Sequence, residues 1–269
     1  MSSKCLLYIF NVAILIIVKL LRRRRNMQLT KSKKIILSIV ALLMIVSTIF
    51  VLTACGEETQ KETTAEVGTY QELVTALEGD DDIIKLTDDI VVEDVVVVTR
   101  EVELDLNGKT LSNEIALWDV TTPGANKWSV VSVRGEGDLT ITGNGTIKAL
   151  ENDCYAVDVM DVGTRLVIEN GTFIGNISAV YAYQGTVEIK GGEYSIQQLS
   201  SQSDHRFTLN CQDDYFVDGT ASFVVTGGVF HDFNPANNLA EPPSANFVAE
   251  GYTAQLVEGS ETDYEVVKA

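Results

Sequence analysis

Carboxylates are the most abundant ionisable groups in this chain. There are 38 Asp and Glu against 20 Lys and Arg and two His, giving a formal charge of −18 over 269 residues. Cleaving a glycosidic bond needs two carboxyls facing each other across a short gap, and calcium needs several oxygens from a spaced loop. The strand pattern turns Asp158 outward in a first sheet, beside Ser132, Ala182 and Asn210. It sets Glu169 and Lys190 at one outward position of a second sheet, with Glu188 nearby. That is a solvated charged ladder, not a matched acid and base. Asp80-Asp81-Asp82, Asp88-Asp89 and Asp213-Asp214 could offer oxygens to calcium, but they lack the ligand spacing of a dedicated loop and suit turns. His205 and His231 have no partner at metal-site or nucleophile spacing. No catalytic residue, no metal ligand and no cofactor is assigned, calcium being the one ion left open.

Aromatic residues give a second kind of chemistry. Trp118 and Trp128 bracket one insertion, and Tyr215 and Phe216 lie in another beside Asp213 and Asp214. Rings next to carboxylates suit a sugar, offering an apolar face with acceptors around it; the alternative is that they pack their own loops. Trp118, Trp128, Asp213, Asp214 and Tyr215 are therefore the candidate ligand-binding residues. The small outward residues Val130, Ala156, Val180 and Thr208 would form a flat face between the loops, able to dock a polymer or a protein.

The elements that must position these residues repeat. A phrase of the form apolar-x-apolar, a Gly or Asn bend, then apolar recurs at Leu104–Leu111, Leu139–Ile147, Leu166–Phe173, Val187–Tyr194 and Phe223–Phe230. Alignment gives three ladders: Leu104/Leu139/Leu166/Val187/Phe223, Leu106/Ile141/Ile168/Ile189/Val225 and Leu111/Ile147/Phe173/Tyr194/Phe230. A further strand precedes each phrase at Ser129–Val133, Tyr155–Val159, Ala179–Tyr183 and Phe207–Cys211. Their inward sets are Ser129/Tyr155/Ala179/Phe207, Val131/Val157/Tyr181/Leu209 and Val133/Val159/Tyr183/Cys211. The shortest spacing between phrases, from Leu166 to Val187, is 21 residues, a solenoid period with loops inserted on it. The insertions at 113–127, 148–154 and 195–206 enter at one corner, before this strand, and 212–221 follows it in the last coil. An antiparallel sandwich is the rival architecture, but Asn-Gly hairpins do not regularly join neighbouring strands. Before the strands, Thr69 and Glu72 form a capping box, and Tyr70, Leu73, Val74 and Leu77 share one helical face. This helix would cap the first coil, whose edge is otherwise raw. Cys211 points inward and Cys154 lies two coils away, so the two are not expected to pair.

The N-terminal region has its own composition. All nine Lys and Arg ahead of Cys55 fall where there is no Asp or Glu, leaving 11 basic and 38 acidic residues from Cys55 onward. A surface so acidic argues against nucleic acid or an anionic membrane as partner. Ile35–Leu52 is apolar, with Lys31, Lys33 and Lys34 before it and Leu-Thr-Ala-Cys after it, an export-signal arrangement. Residues 27–56 resemble the signal of bacterial lipoproteins, which implies acylation at Cys55; an uncleaved membrane span is the other reading. An earlier apolar run, Leu6–Leu21, precedes four arginines, and reads as a stop-transfer segment or as sequence upstream of a true start at Met27. The organisation expected is a leader over 1–54 (with 1–26 outside the true start), a flexible linker over 55–67, and one domain over 68–269. The domain would lie outside the cytoplasm, anchored to the bacterial membrane or cell surface through lipid alone.

The cap helix, then IIKLTDDI (83–90) and VELDLNGKT (102–110), and the ending 227–252 resemble right-handed parallel β-helix proteins of the pectin-lyase-like superfamily. The resemblance covers roughly 69–267 and implies an all-β fold, a right-handed parallel β-helix (solenoid) with an N-terminal capping helix. That superfamily includes polysaccharide lyases and glycoside hydrolases. The hydrolases' Gly-His-Gly and Arg-Ile-Lys signatures are absent, and only Arg134, Arg165 and Arg206 could contact a uronate. The expectation is a surface-displayed binding protein or adhesin for a polysaccharide or a surface protein, with the enzyme as the alternative and a passive spacer as a third reading.

Overall fold

The computed structural model describes residues 62–122, 126–199, 205–238 and 245–269. The export signal and Cys55 lie outside these residues. Among the described residues no helix is long and apolar enough to cross a membrane.

Residues 62–269 form one compact unit, almost entirely β. From Ile83 to Phe230 the chain visits three sheets in turn, each new strand pairing with the strand laid down one round earlier. The seven-stranded sheet runs from Thr64–Val67 and Ile83–Leu86 to Ala221–Val225. The five-stranded sheet holds Val96–Val98, Ser129–Val133, Tyr155–Val159, Val180–Ala182 and Leu209–Cys211. The eight-stranded sheet begins at Ile90–Val92 and ends in a hairpin, Tyr252–Leu256 with Tyr264–Lys268. Every strand pair outside that hairpin's contacts is parallel, whereas the hairpin is antiparallel internally and to Val229–Phe230. This excludes the antiparallel sandwich.

The third ladder forms as expected: Leu111 pairs with Ile147, Ile147 with Phe173, Phe173 with Tyr194 and Tyr194 with Phe230. Phe173, Tyr194 and Phe230 stack with centroids 5.2 and 4.9 Å apart and planes within 12°. The other two ladders hold from Leu139 onward, but the first phrase slips by two residues. Val102 pairs with Leu139 and Leu104 with Ile141. The cause is the bend: Asn107 and Gly108 both take positive φ (48° and 74°), lengthening this turn relative to the later ones. A slip of two keeps the same face inward, so the core is undisturbed. Gly175 serves a different need, because a β-carbon there would collide with the Ser178 carbonyl oxygen.

The five-stranded sheet corrects the expected facing. Val157 pairs with Val180 and Val159 with Ala182, which in turn meet Leu209 and Cys211. Tyr181 and Tyr183 therefore leave the core and stand half-exposed. Val130, Ala156, Val180 and Thr208 are fully buried, so the flat face of small residues does not exist. Cys154 and Cys211 are both buried and are not bonded to each other, as expected.

The helix spans Tyr70–Glu78. The Thr69 hydroxyl accepts from Glu72 N–H, and the Glu72 carboxylate accepts from the N–H groups of Gly68 and Thr69. Leu73 and Ala76 are buried, and the Arg100 guanidinium donates to the carbonyls of Ala76 and Leu77, satisfying the C-terminal turn. Thr64–Val67, assigned to the linker on composition, is a strand paired with Ile83–Leu86. The far edge is closed too: the Val225 N–H donates to Phe247, and Ala249 N–H donates back to Val225.

Candidate functional site

Asp153 organises the loop that carries Trp118. Its buried carboxylate accepts from the Asn113 side chain at 2.7 Å and from the N–H groups of Leu117 and Trp118 at 2.8 and 2.9 Å. Beyond Trp118 the loop closes on itself through reciprocal backbone bonds between Asp119 and Lys127. The Asp119 carboxyl is held well below the usual range by bonds from Thr122 and Thr121, and Lys127 pairs with Asp94 at 2.6 Å. The loop is thus a built element that fixes where Trp118 and Trp128 stand.

Both indoles lean on the tyrosines of the five-stranded sheet. Trp118 lies 6.5 Å from Trp128 with planes 26° apart, and 5.4 Å from Tyr155, edge to face. Trp128 meets Tyr181 at 5.9 Å and Tyr183 at 5.2 Å, Tyr155 meets Tyr181 at 5.1 Å, and Tyr183 meets Tyr215 at 5.1 Å. Trp118 is 40% exposed, Tyr155 is covered by its neighbours, and the other rings are half-buried. Three of the five expected ligand-binding residues, Trp118, Trp128 and Tyr215, thereby fall in one band.

Tyr215 reaches the band from an element the sequence reading left as a loop. Asp213–Asp218 is a short helix whose N-cap, Gln212, accepts from Tyr215 N–H. Asp213 and Asp214 are exposed in its first turn. The Tyr215 phenol is raised by its hydrogen bond to Tyr183 and by the carboxylates of its own helix. Phe216 turns the other way, against Phe247. The sequence reading missed Tyr155, Tyr181, Tyr183 and Asp153. The three tyrosines were visible as aromatics on the strands but were assigned inward.

Asp158 is not a surface group. It is fully buried, and its two oxygens accept from the hydroxyls of Ser129 and Ser132. Burial pushes its carboxyl up to about 6 against the opposing pull of those hydroxyls and of Arg134. Arg134 donates to the Ser132 hydroxyl and to the Asn126 carbonyl. Strand register places Ser132, Asp158, Tyr181 and Asn210 side by side, Tyr181 being the ring of this row that enters the band. Among the described residues, Trp128 Nε1, Ser178 Oγ, Thr208 Oγ1 and Asn210 Oδ1 are buried without a hydrogen-bond partner. All four belong to this sheet or its approaches, and buried donors and acceptors are normally satisfied.

A concavity of about 360 Å³ lies on the seven-stranded sheet, lined by Asp82, Glu101, Glu103, Asp138 and Arg165 among others. Glu101 pairs in register with Asp138, and Arg165 bridges Asp138 and Glu188 at 3.3 and 3.0 Å. Lys190 and Glu169 form the expected ion pair at 2.7 Å. The acidic turns act on the backbone: Asp82 accepts from Thr63 and Asp89 from Thr110. Among the described residues no three His, Cys, Asp or Glu converge as metal ligands. His231 has partners that the sequence did not announce, Glu193 at 2.6 Å and Asp263 at 3.4 Å. No family model, curated protein or solved structure matches this chain.

Proposed function

We propose that this chain is an exported lipoprotein, anchored through Cys55, whose acidic outer part is a right-handed parallel β-helix that binds a glycan. The three-sheet order and parallel register are what such a solenoid requires. The observation that carries the binding reading is the band of six rings running from Trp118 to Tyr215, partly open to solvent and held by a pinned loop. Indole and phenol faces cover the apolar face of a sugar, and their polar edges and nearby carboxylates serve its hydroxyls. The charge of the chain favours neutral or cationic glycans over uronates. A glycan array probed with the full chain, with and without calcium, tests this. Trp118→Ala should weaken any specific binding by about 2 kcal/mol, the scale of an aromatic anchor. Retention of full affinity by that variant would remove the band from the site.

The register pair Glu101 and Asp138 in the acidic concavity favours a second reading, a glycoside hydrolase. That chemistry needs one carboxyl held protonated near the other. Asp158, whose carboxyl is raised, sits buried in a different sheet, so the binding reading is preferred. Release of reducing ends from a bound polysaccharide would reverse the preference.

A further inference from the structure

Tyr183 and Tyr215 meet edge to face at 77°, with centroids 5.1 Å apart, and their hydroxyls share a hydrogen bond. Both rings are half-exposed. They come from separate elements whose backbones are pinned. Tyr183 follows the strand Val180–Ala182, its N–H donating to the Val159 carbonyl, and Tyr215 lies in the helix Asp213–Asp218, its N–H donating to the Gln212 side chain. Tyr155 and Tyr181 have the same 5.1 Å separation at 40°, but Tyr155 is only 8% exposed and burial pushes its phenol up to about 12. An oxidised phenol loses its proton and carries its unpaired spin on oxygen and on the carbons flanking the hydroxyl-bearing one. Contact between two hydroxyls therefore brings the reactive carbons of both rings to one place.

We infer that Tyr183 and Tyr215 form a site of oxidative cross-linking, joined carbon to carbon as dityrosine by a one-electron oxidant of the peroxidase and hydrogen peroxide class. Each phenol gives one electron to the oxidant and one proton to water. The two radicals couple through the carbons beside their hydroxyls, and the hydrogens on those carbons then move to oxygen, restoring both phenols. The pair loses two hydrogens in all, and one hydrogen peroxide takes them up as two waters. The carboxylates of Asp214 and Asp218 act on Tyr215, so acceptors for its proton are at hand. Trp128 stands 5.2 Å from Tyr183 and 6.5 Å from the exposed Trp118. An electron lost from either indole is thus replaced from Tyr183, because a phenol that can shed its proton is the easier group to oxidise. The bond has a structural use. The helix Asp213–Asp218 buries none of its residues, and the cysteines Cys154 and Cys211 do not pair. A Tyr183–Tyr215 link would close 183–215 into a covalent loop and hold this helix to the sheet, lowering the entropy of the unfolded chain as a disulfide does.

The test is to treat the full chain, dilute, with a haem peroxidase and limiting hydrogen peroxide, then follow dityrosine emission and map the digested product by tandem mass spectrometry. The chain has nine tyrosines, so selectivity is the readout. The expected product is a monomer lighter by two hydrogens, in which Tyr183 is bonded to Tyr215. Tyr183→Phe and Tyr215→Phe keep the ring and remove the hydroxyl, and each should lower the yield of intramolecular dityrosine at least about tenfold. Circular dichroism of each variant matching that of the parent shows that the loss is not one of folding. Tyr155→Phe should leave the yield unchanged. The same treatment in concentrated urea should scatter the links over many tyrosines. Four results would overturn the site: a link that survives in Tyr215→Phe, Tyr155–Tyr181 as the main product, intermolecular dityrosine in place of the monomer product, or no dityrosine while free tyrosine in the same tube reacts. A product map identical in urea would do so as well, since the fold would then contribute nothing.

Discussion

Placing a carboxyl between two serine hydroxyls inside a sheet makes its charge costly. Asp158 moves from its ordinary 3.8 to about 6, with burial as the largest cause. A folded state that prefers the protonated acid gains from it at low pH and loses that gain as pH rises from the unfolded value through the folded one. Between about pH 4 and about pH 7 this one group should cost about 2 kcal/mol of stability. Asp158→Asn should therefore flatten the dependence, which urea unfolding at the two pH values would measure. An unchanged pH slope in the variant would show that the carboxyl is not the source. None of this was legible in the sequence, where Asp158 read as an outward residue. All five residues of Ser129–Val133, and all five of Tyr155–Val159, are buried, because rings and the Asp–Ser bonds cover the face that alternation assigns to water. Trp118, Trp128 and Tyr215 were legible as candidates because an insertion that carries large aromatics is unusual. Their meeting through Tyr155, Tyr181 and Tyr183 was not.

The strands were read most reliably where a bend fixed the count. The ladder after the bend, Leu111 to Phe230, is correct at every rung, since the Gly or Asn of the turn stands at a near-constant distance before it. The ladder before the bend slipped at Leu104, where the turn is longer. Tyr181 was misplaced by one residue because Ala179 is still part of the corner, and the strand begins at Val180. At this scale Tyr194 is the most informative position. It is fully buried between Phe173 and Phe230, and its hydroxyl donates to the Gly191 carbonyl at 2.7 Å. Tyr194→Phe should cost about 1 kcal/mol, the net value of the hydrogen bond, and Tyr194→Ala about 3–5 kcal/mol through the cavity it leaves in the stack. Chemical denaturation of the two variants would separate the contributions. Near-equal losses would mean that the stack contributes little.

The unit as a whole depends on closing the two ends that its parallel strands leave open. The helix Tyr70–Glu78 and the strand Thr64–Val67 attend to the first end, and residues 245–249 with the hairpin 252–268 attend to the last. The hairpin is fastened by His231, which sits between Glu193 and Asp263. Partial burial works against its charge, but the two carboxylates outweigh it, and its pKa is raised above the ordinary 6.5. A raised histidine stabilises fully below its unfolded value, and that contribution is lost as pH climbs through the folded one. Amide exchange in Tyr264–Lys268 should accelerate over about pH 6 to 8, and His231→Gln should exchange at the faster rate throughout. Identical profiles for the two proteins would rule out the fastening.

The parallel register also has a mechanical meaning. Thr64–Val67 lies at one edge of its sheet and the hairpin at the opposite edge of another, so a pull between the two ends of residues 62–269 runs along the hydrogen bonds between strands. Such a load reaches one strand at a time and is not shared across a whole sheet in shear. Because each round contacts chiefly its neighbours, the chain would yield by successive small unzipping steps, the antiparallel hairpin releasing separately from the rounds beneath it. Extension would then lengthen the molecule gradually under modest force, as a tether that pays out, while the rounds still folded keep the aromatic band assembled.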